Sequence, residues 1–203
     1  MKLYYSSGAC SLASHILLRE AKLDFTIEKV DLKNKTTEKG DNFLNINAKG
    51  YVPALELDNK QILTEGTAIL QYIADQAPTT KLAPAAGTLE RYRLQEWLGF
   101  INSEIHKTFS PLFNPATPDT YKNTVKEYLA KRLDFIANYF TQSKKEYLMG
   151  DHFTAPDAYL YVVLGWSNFL GFDLSKWPNI KSFIERVGAR PAVKEARQAE
   201  GLS

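Results

Sequence analysis

Two periodicities divide the chain. Up to about residue 77, short apolar runs alternate with one-sided helical patterns. Leu3-Tyr4-Tyr5 predicts a short strand, and Ser6-Ser7-Gly8-Ala9 is turn chemistry. Over residues 11–22, Leu12, Ile16 and Leu17 recur at helical spacing. Residues 25–32 are rich in β-formers and read as a second strand. Residues 33–50 are polar and irregular, with a short helix around 42–45. Val52-Pro53-Ala54-Leu55-Glu56-Leu57 alternates like a strand, and Asp58-Asn59-Lys60 turns it into a paired strand from Gln61. Residues 66–77 place Ala68, Ile69, Tyr72 and Ile73 on one helical face.

That order makes the first β-α-β unit parallel and right-handed and the later pair an antiparallel hairpin. It predicts an α/β domain with a four-stranded mixed sheet, in the thioredoxin-like order. Residues 78–87 contain two prolines, end in Gly87 and read as a linker. Beyond it only helical spacing persists, so an all-α bundle is expected. Leu94, Trp97, Leu98, Ile101 and Ile105 mark one helix; Val125, Leu129, Leu133 and Ile136 mark another, with Pro111, Pro115 and Pro118 breaking the chain between them. Residues 155–169 are apolar on nearly all faces and predict a buried central helix. Two shorter helices, around 180–188 and 192–199, are separated at Pro191. The expected domains are 1–80 and 87–203.

Composition changes this picture little. The chain has 203 residues, 44% apolar and 24% charged, as in ordinary globular domains. A net charge of +2 gives no reason to expect a nucleic-acid or membrane partner. There is one cysteine, Cys10, so an intramolecular disulfide or a multi-thiolate zinc site is excluded, and no other metal site is expected. A lone thiol and the absence of a leader-like start point to the cytoplasm.

The candidate chemistry begins with Cys10, immediately before a predicted helix. Unpaired N–H groups at a helix start stabilise a thiolate, and the thiol pKa falls from about 8.5 to roughly 3.5–7.5 in such settings. The alternative is a small buried hydrophobe. Val52-Pro53 is either a strand-start proline or a cis peptide that exposes the Val52 main chain to an extended ligand; the Val-Pro-Ala-Leu context favours cis. Thr64-Glu65-Gly66 precedes a helix, where N–H groups would take an anion and Glu65 an ammonium; ordinary capping by Thr64 is the other reading. His106 and Lys107 by themselves suit a helix C-terminus, and Lys35 alone is unspecific. Thr154 and Asp157 form a capping box with Asp in the reciprocal position. A phosphatase loop is excluded because Ile16 stands where an arginine is required. No histidine is fixed near Cys10 for a cysteine protease.

Four fragments in correct order span essentially the whole chain: Gly8-Ala9-Cys10-Ser11-Leu12, Gly50-Tyr51-Val52-Pro53-Ala54-Leu55, Thr64-Glu65-Gly66-Thr67-Ala68-Ile69 and Phe153-Thr154-Ala155-Pro156-Asp157-Ala158. Together they resemble the cytosolic glutathione S-transferases, and the cysteine after Gly-Ala resembles the bacterial beta class in particular. The resemblance implies that Cys10 lies beside the glutathione sulfur, with Ser11 as helper and Tyr5 in packing. It implies that Lys35 contacts the glycyl carboxylate, that Val52 and Pro53 pair with the cysteinyl unit, and that Glu65 and Gly66 hold the γ-glutamyl end. Ser103, Glu104, His106 and Lys107 belong to the helix at the domain and subunit boundary, some reaching the ligand of a neighbouring subunit, so a homodimer is implied. The catalytic set is Cys10, Ser11 and His106. Glutathione is a co-substrate, no further cofactor is expected, and the second substrate is a small hydrophobic electrophile. Gly99 departs from the family's common asparagine. Conjugation is the leading function; a monothiol thiol-disulfide oxidoreductase through Cys10 and a non-catalytic binding module are the alternatives.

Overall fold

The computed structural model describes residues 1–202. They divide into two units: Met1–Ala85 together with the chain from Ala189 onward, and Ala86–Gly188.

In the first unit, β1 (Lys2–Tyr5), α1 (Ser11–Glu20), β2 (Thr26–Asp31), β3 (Thr36–Thr37), β4 (Ala54–Glu56), β5 (Ile62–Thr64) and α2 (Gly66–Gln76) follow in order. The sheet runs β3-β2-β1-β4-β5. β1 and β2 are parallel; the other pairs are antiparallel. The four strands read from the sequence are all present. The fifth, β3, is two residues long, too short for any periodicity to register.

Side chains of β1 alternate between the two faces of the sheet, and both are covered. Leu3, paired with Leu55, is fully buried, as are Ile16, Ile69 and Ile73 of the helices. Tyr4 faces the other way into a cluster with Val30, Phe43, Val52 and Ala54. The irregular segment between β3 and β4, with its 3-10 turn at Phe43–Asn45, therefore roofs the second face and ends on Val52. On this face Glu28 is also buried, 3.0 Å from the Lys2 ammonium. Burial would raise its pKa, but the bonds from Lys2 and Thr37 hold it below the ordinary carboxylate value.

The expected domain boundaries placed everything after residue 87 with the helical part. In the structure α8 (Pro191–Ala199) instead groups with the first unit, against α1. Glu200, just past α8, is buried; its carboxylate accepts from the Gly8 N–H at 3.1 Å and from His15 Nδ1 at 3.0 Å. His15 Nε2 in turn accepts from Arg19 Nε at 3.1 Å.

The second unit contains α3 (Leu89–Phe100), a π-helical turn (Ile101–His106), α4 (Lys107–Phe113), α5 (Asp119–Ser143), α6 (Ala155–Leu170) and α7 (Pro178–Gly188). α6 is buried almost throughout, as its apolar run predicts. The Asp157 carboxylate accepts from the Thr154 N–H and hydroxyl and from the Leu148 N–H, each at 2.8 Å. Pro111 was expected to break the chain but lies inside α4, which ends at Phe113. A proline interrupts a helix only through its missing N–H and its clash one turn back, and two residues of helix follow it here. Among the described residues no helix is long and apolar enough to cross a membrane.

Candidate active site

The turn from β1 into α1 is built by short bonds. Ala9 N–H reaches Ser6 O at 3.0 Å, and Gly8 takes φ +70°, which favours glycine. The buried Ser11 hydroxyl accepts from Ser6 N–H at 3.2 Å and lies 3.3 Å from Ser6 O. Cys10 is thereby held at the start of α1, half-buried, with its thiol donating to the Val52 carbonyl at 3.3 Å. The Val52–Pro53 bond is cis. Pro53 also approaches the start of α2: a Cβ placed on Gly66 would lie 3.8 Å from its ring.

A lowered thiol pKa was expected at this helix start, and the structure reverses it. Burial pushes the Cys10 thiol up to about 11. The N–H groups of Cys10 and Ser11 act in the expected direction but are outweighed, and the negative charge of Glu65 adds to the rise. Cys10 is therefore a thiol, not a thiolate, at neutral pH.

Glu65, not Thr64, occupies the cap position of α2, and neither side chain caps the helix. Glu65 has φ +68° and ψ +114°, a conformation that costs about 1–3 kcal/mol for a residue with a side chain. Its carboxylate is paired with the Lys49 ammonium at 2.6 Å, and Lys49 also bonds the Thr64 hydroxyl at 3.2 Å. The helix thus begins with N–H groups that no side chain has claimed, beside a carboxylate matched to a cation. Lys35 lies at the far end of the same run of chain. Its ammonium donates to Gly50 O at 2.9 Å and sits 5.7 Å from the Tyr51 ring centre. A Cβ on Gly50 would come within 3.3 Å of the Lys35 side chain.

Cys10, Ser11, Lys35, Val52, Pro53, Glu65 and Gly66 thus gather in the first unit around one stretch of backbone. Ser103, Glu104, His106 and Lys107 form a separate group in the second unit, on the π-helical turn and the first residue of α4. The Ser103 hydroxyl donates to Gly99 O at 3.1 Å. Glu104 accepts from the Tyr128 hydroxyl at 2.7 Å and is ion-paired with Arg132 at 2.7 Å, and the Tyr128 bond is the chief cause of its lowered pKa. His106 is half-buried, with Nδ1 2.6 Å from the Tyr159 hydroxyl and its ring 4.8 Å from that of Trp166. Burial lowers its pKa to about 4, and the neighbouring Lys107 charge adds to the fall. Phe109 is core, whereas Phe113 and Phe169 are exposed beside Trp166 or beyond it on the same chain region. A Cβ on Gly99 would meet nothing within 4 Å, so packing does not demand glycine there.

Three partners of these residues were not legible in the sequence. Lys49 reaches Glu65 only because the segment before β4 folds back beside β5. Asn102 and Tyr159 carried no motif; they matter because they meet His106.

A thiol set against the backbone of a cis-proline strand at the start of a helix, in a sheet of this order, marks the first unit as a thioredoxin-like domain. The comparisons agree. Residues 8–76 match the model of the glutathione S-transferase N-terminal domain, and residues 100–191 that of the C-terminal domain. The chain is 46% identical to glutathione S-transferase GstA of Escherichia coli O157:H7 over all of both chains. Among solved structures it is similar to a ternary complex of BphK, a bacterial GST, with 54% identity, full coverage of both chains and a TM-score of 0.97. It is also similar to the bacterial beta class glutathione S-transferase of Sphingomonas chungbukensis, with 47% identity, full coverage of both and a TM-score of 0.96. The chain belongs to the glutathione S-transferase family.

Proposed function

We propose that this transferase conjugates reduced glutathione to small hydrophobic electrophiles, with the tripeptide laid along Val52 and its sulfur beside Cys10. The observation that carries this reading is the pairing of the Cys10–Val52 contact with Glu65, held at positive φ beside an uncapped helix start. The γ-glutamyl ammonium takes the Glu65 carboxylate from Lys49, and its carboxylate accepts from the N–H groups at Gly66. The cysteinyl unit pairs with the Val52 main chain beside Pro53, and the glycyl carboxylate meets Lys35. Ser11 assists by keeping Cys10 in place through its bonds to Ser6.

Conjugation requires the glutathione thiolate to attack an electrophilic carbon, so its proton must leave. The catalytic set in this reading is Cys10, Ser11 and His106, whose ring is neutral at pH 7. Ser103, Glu104 and Lys107 complete the ligand-facing surface, in a homodimer where part of it serves the neighbouring copy. An aromatic hollow of about 590 Å³ on α3 and α5, lined by Trp97, Phe100, Phe135 and Tyr139, supports that assembly. The electrophile site is assigned to the second unit near Trp166, and a cytoplasmic location suits a single free thiol.

The high pKa of Cys10 weighs against a thiol-exchange cycle in which Cys10 attacks first, because only the thiolate is nucleophilic. Calorimetry with reduced glutathione and turnover of chlorodinitrobenzene test the proposal. Wild-type protein is expected to bind and to turn over. Glu65→Ala is expected to weaken binding by about 10- to 100-fold, the worth of a charged hydrogen bond. No binding heat and no turnover by the wild-type protein would overturn the assignment.

A further inference from the structure

The chain that precedes β4 runs past the residues that follow β5, because the two strands are antiparallel with Ala54 opposite Thr64. Residues 47–50 form a tight turn there, built by the buried Asn47. Its side-chain amide donates to Tyr51 O at 2.7 Å, its side-chain oxygen accepts from the Lys49 N–H at 3.1 Å, and its carbonyl accepts from the Gly50 N–H at 2.8 Å. Gly50, at φ +67°, closes the turn. Lys49 therefore leaves a fixed backbone. Its ammonium lies 2.6 Å from Glu65 Oε1 and 3.2 Å from the Thr64 hydroxyl.

Among the described residues Lys49 is the only side chain bonded to the Glu65 carboxylate. Glu65 does not cap α2, so the helix makes no use of that carboxylate. Both side chains are more than half exposed, 51% for Lys49 and 65% for Glu65. An ion pair this exposed adds little to stability and exchanges readily with other charged groups. An ammonium is also what the glutathione reading places on Glu65, at the α-amino end of the γ-glutamyl unit. Lys49 thus presents the same kind of donor to the same carboxylate, tethered by its own chain.

We propose that Lys49 is an intramolecular competitor for the ammonium subsite at Glu65, and that it sets the affinity and head-group selectivity of the site. This rests on the glutathione reading above and names what the ligand must displace. Binding exchanges one ammonium for another: the Lys49–Glu65 pair breaks, the α-ammonium of the ligand pairs with Glu65, and Lys49 returns to water. A ligand without an ammonium leaves Lys49 in place, where it balances the Glu65 charge. For glutathione Lys49 has two opposed effects. Its competition weakens binding, and its positive charge attracts a ligand of net negative charge. The attraction acts through water and salt and is screened. The competition acts through direct contact at 2.6 Å and prevails.

Calorimetry with two ligands tests this on the wild-type protein, Lys49→Met and Lys49→Arg. One ligand is reduced glutathione; the other is glutaryl-cysteinylglycine, which lacks only the α-ammonium. Lys49→Met is expected to bind glutathione about two- to fivefold more tightly, the worth of an exposed ion pair. It is expected to bind the glutaryl ligand no better than wild type, or worse, because the Glu65 charge is then unbalanced. The two ligands thus respond differently, whereas loss of a merely attractive charge would weaken both. Lys49→Arg keeps the pair and should match wild type with both ligands. Lys49 stands on an exposed turn, so these substitutions leave the core intact. Glutathione bound equally or less tightly by Lys49→Met overturns the inference. An equal gain for both ligands also overturns it, because removing the lysine would then only have opened the site. Those outcomes leave the glutathione reading standing; no heat with glutathione from wild type or Lys49→Met overturns that reading, and this inference with it.

Discussion

At Cys10 two effects of opposite sign act on one proton. The start of α1 offers N–H groups that favour the thiolate, and enclosure of the sulfur favours the thiol more strongly. Position in the sequence made the first effect visible; the second depends on Val52 and Glu65, which are remote along the chain. The consequence is measurable. At pH 7 a thiol with a pKa of about 11 is ionised in roughly one molecule in 10,000. Alkylation of Cys10 by iodoacetamide in the ligand-free protein should therefore be slow at pH 7 and still accelerating at pH 10. A rate that levels off below pH 8 would show that the helix start dominates after all.

Elements were easier to read than their ends or their partners. α2 and α5 follow their apolar spacing closely because each buries one broad face, and α1 and α6 were legible because they are buried along most of their length. The π-helical turn escaped, since Ile101 and Ile105 satisfy helical spacing whether the local bond spans four residues or five. The spacing of α8 shows that it is a helix, but not that it groups with the first unit rather than with the helices before it in the chain. What ties it to α1 is the Glu200 carboxylate, which accepts from Gly8 and His15, and Leu202, whose side chain approaches Gly8. Removing this carboxylate leaves the fully buried His15 Nδ1 without its acceptor, at about 1–3 kcal/mol, and takes the charged partner from the Gly8 N–H as well. Glu200→Ala is expected to destabilise the protein by about 3 kcal/mol in urea unfolding, whereas substitution of the exposed neighbouring Lys194 should change little. A loss below about 0.5 kcal/mol for Glu200→Ala would show that the tail is only loosely attached.

At the scale of the whole molecule the proposed homodimer is the feature to test. The hollow lined by Trp97, Phe100, Phe135 and Tyr139 leaves Phe135 half exposed, and Tyr92 and Leu89 on the same helix as Trp97 are more exposed still. Isolated apolar residues at a surface mean little, but an aromatic hollow of this size rimmed by Glu90, Arg93 and Glu96 is what supports the proposed homodimer. Sedimentation at micromolar concentration should give twice the mass of the chain, and Phe135→Glu should shift the equilibrium toward monomer. A wild-type protein that sediments as a monomer would remove the neighbouring-copy part of the proposed site.

The amino-acid order alone determined the sequence of strands and helices, the isolation of the single thiol at a helix start and the four fragments that mark the family. These features are local: turn chemistry, apolar spacing and short motifs depend on residues within a few positions of one another. Tertiary structure decided the rest. Lys49 on Glu65, Glu200 on Gly8, and Asn102 with Tyr159 on His106 join residues from 16 to 192 positions or two separate helices apart. The protonation of Cys10 and His106 belongs to that second group, because desolvation depends on everything packed around a site and not on the residues beside it in the chain.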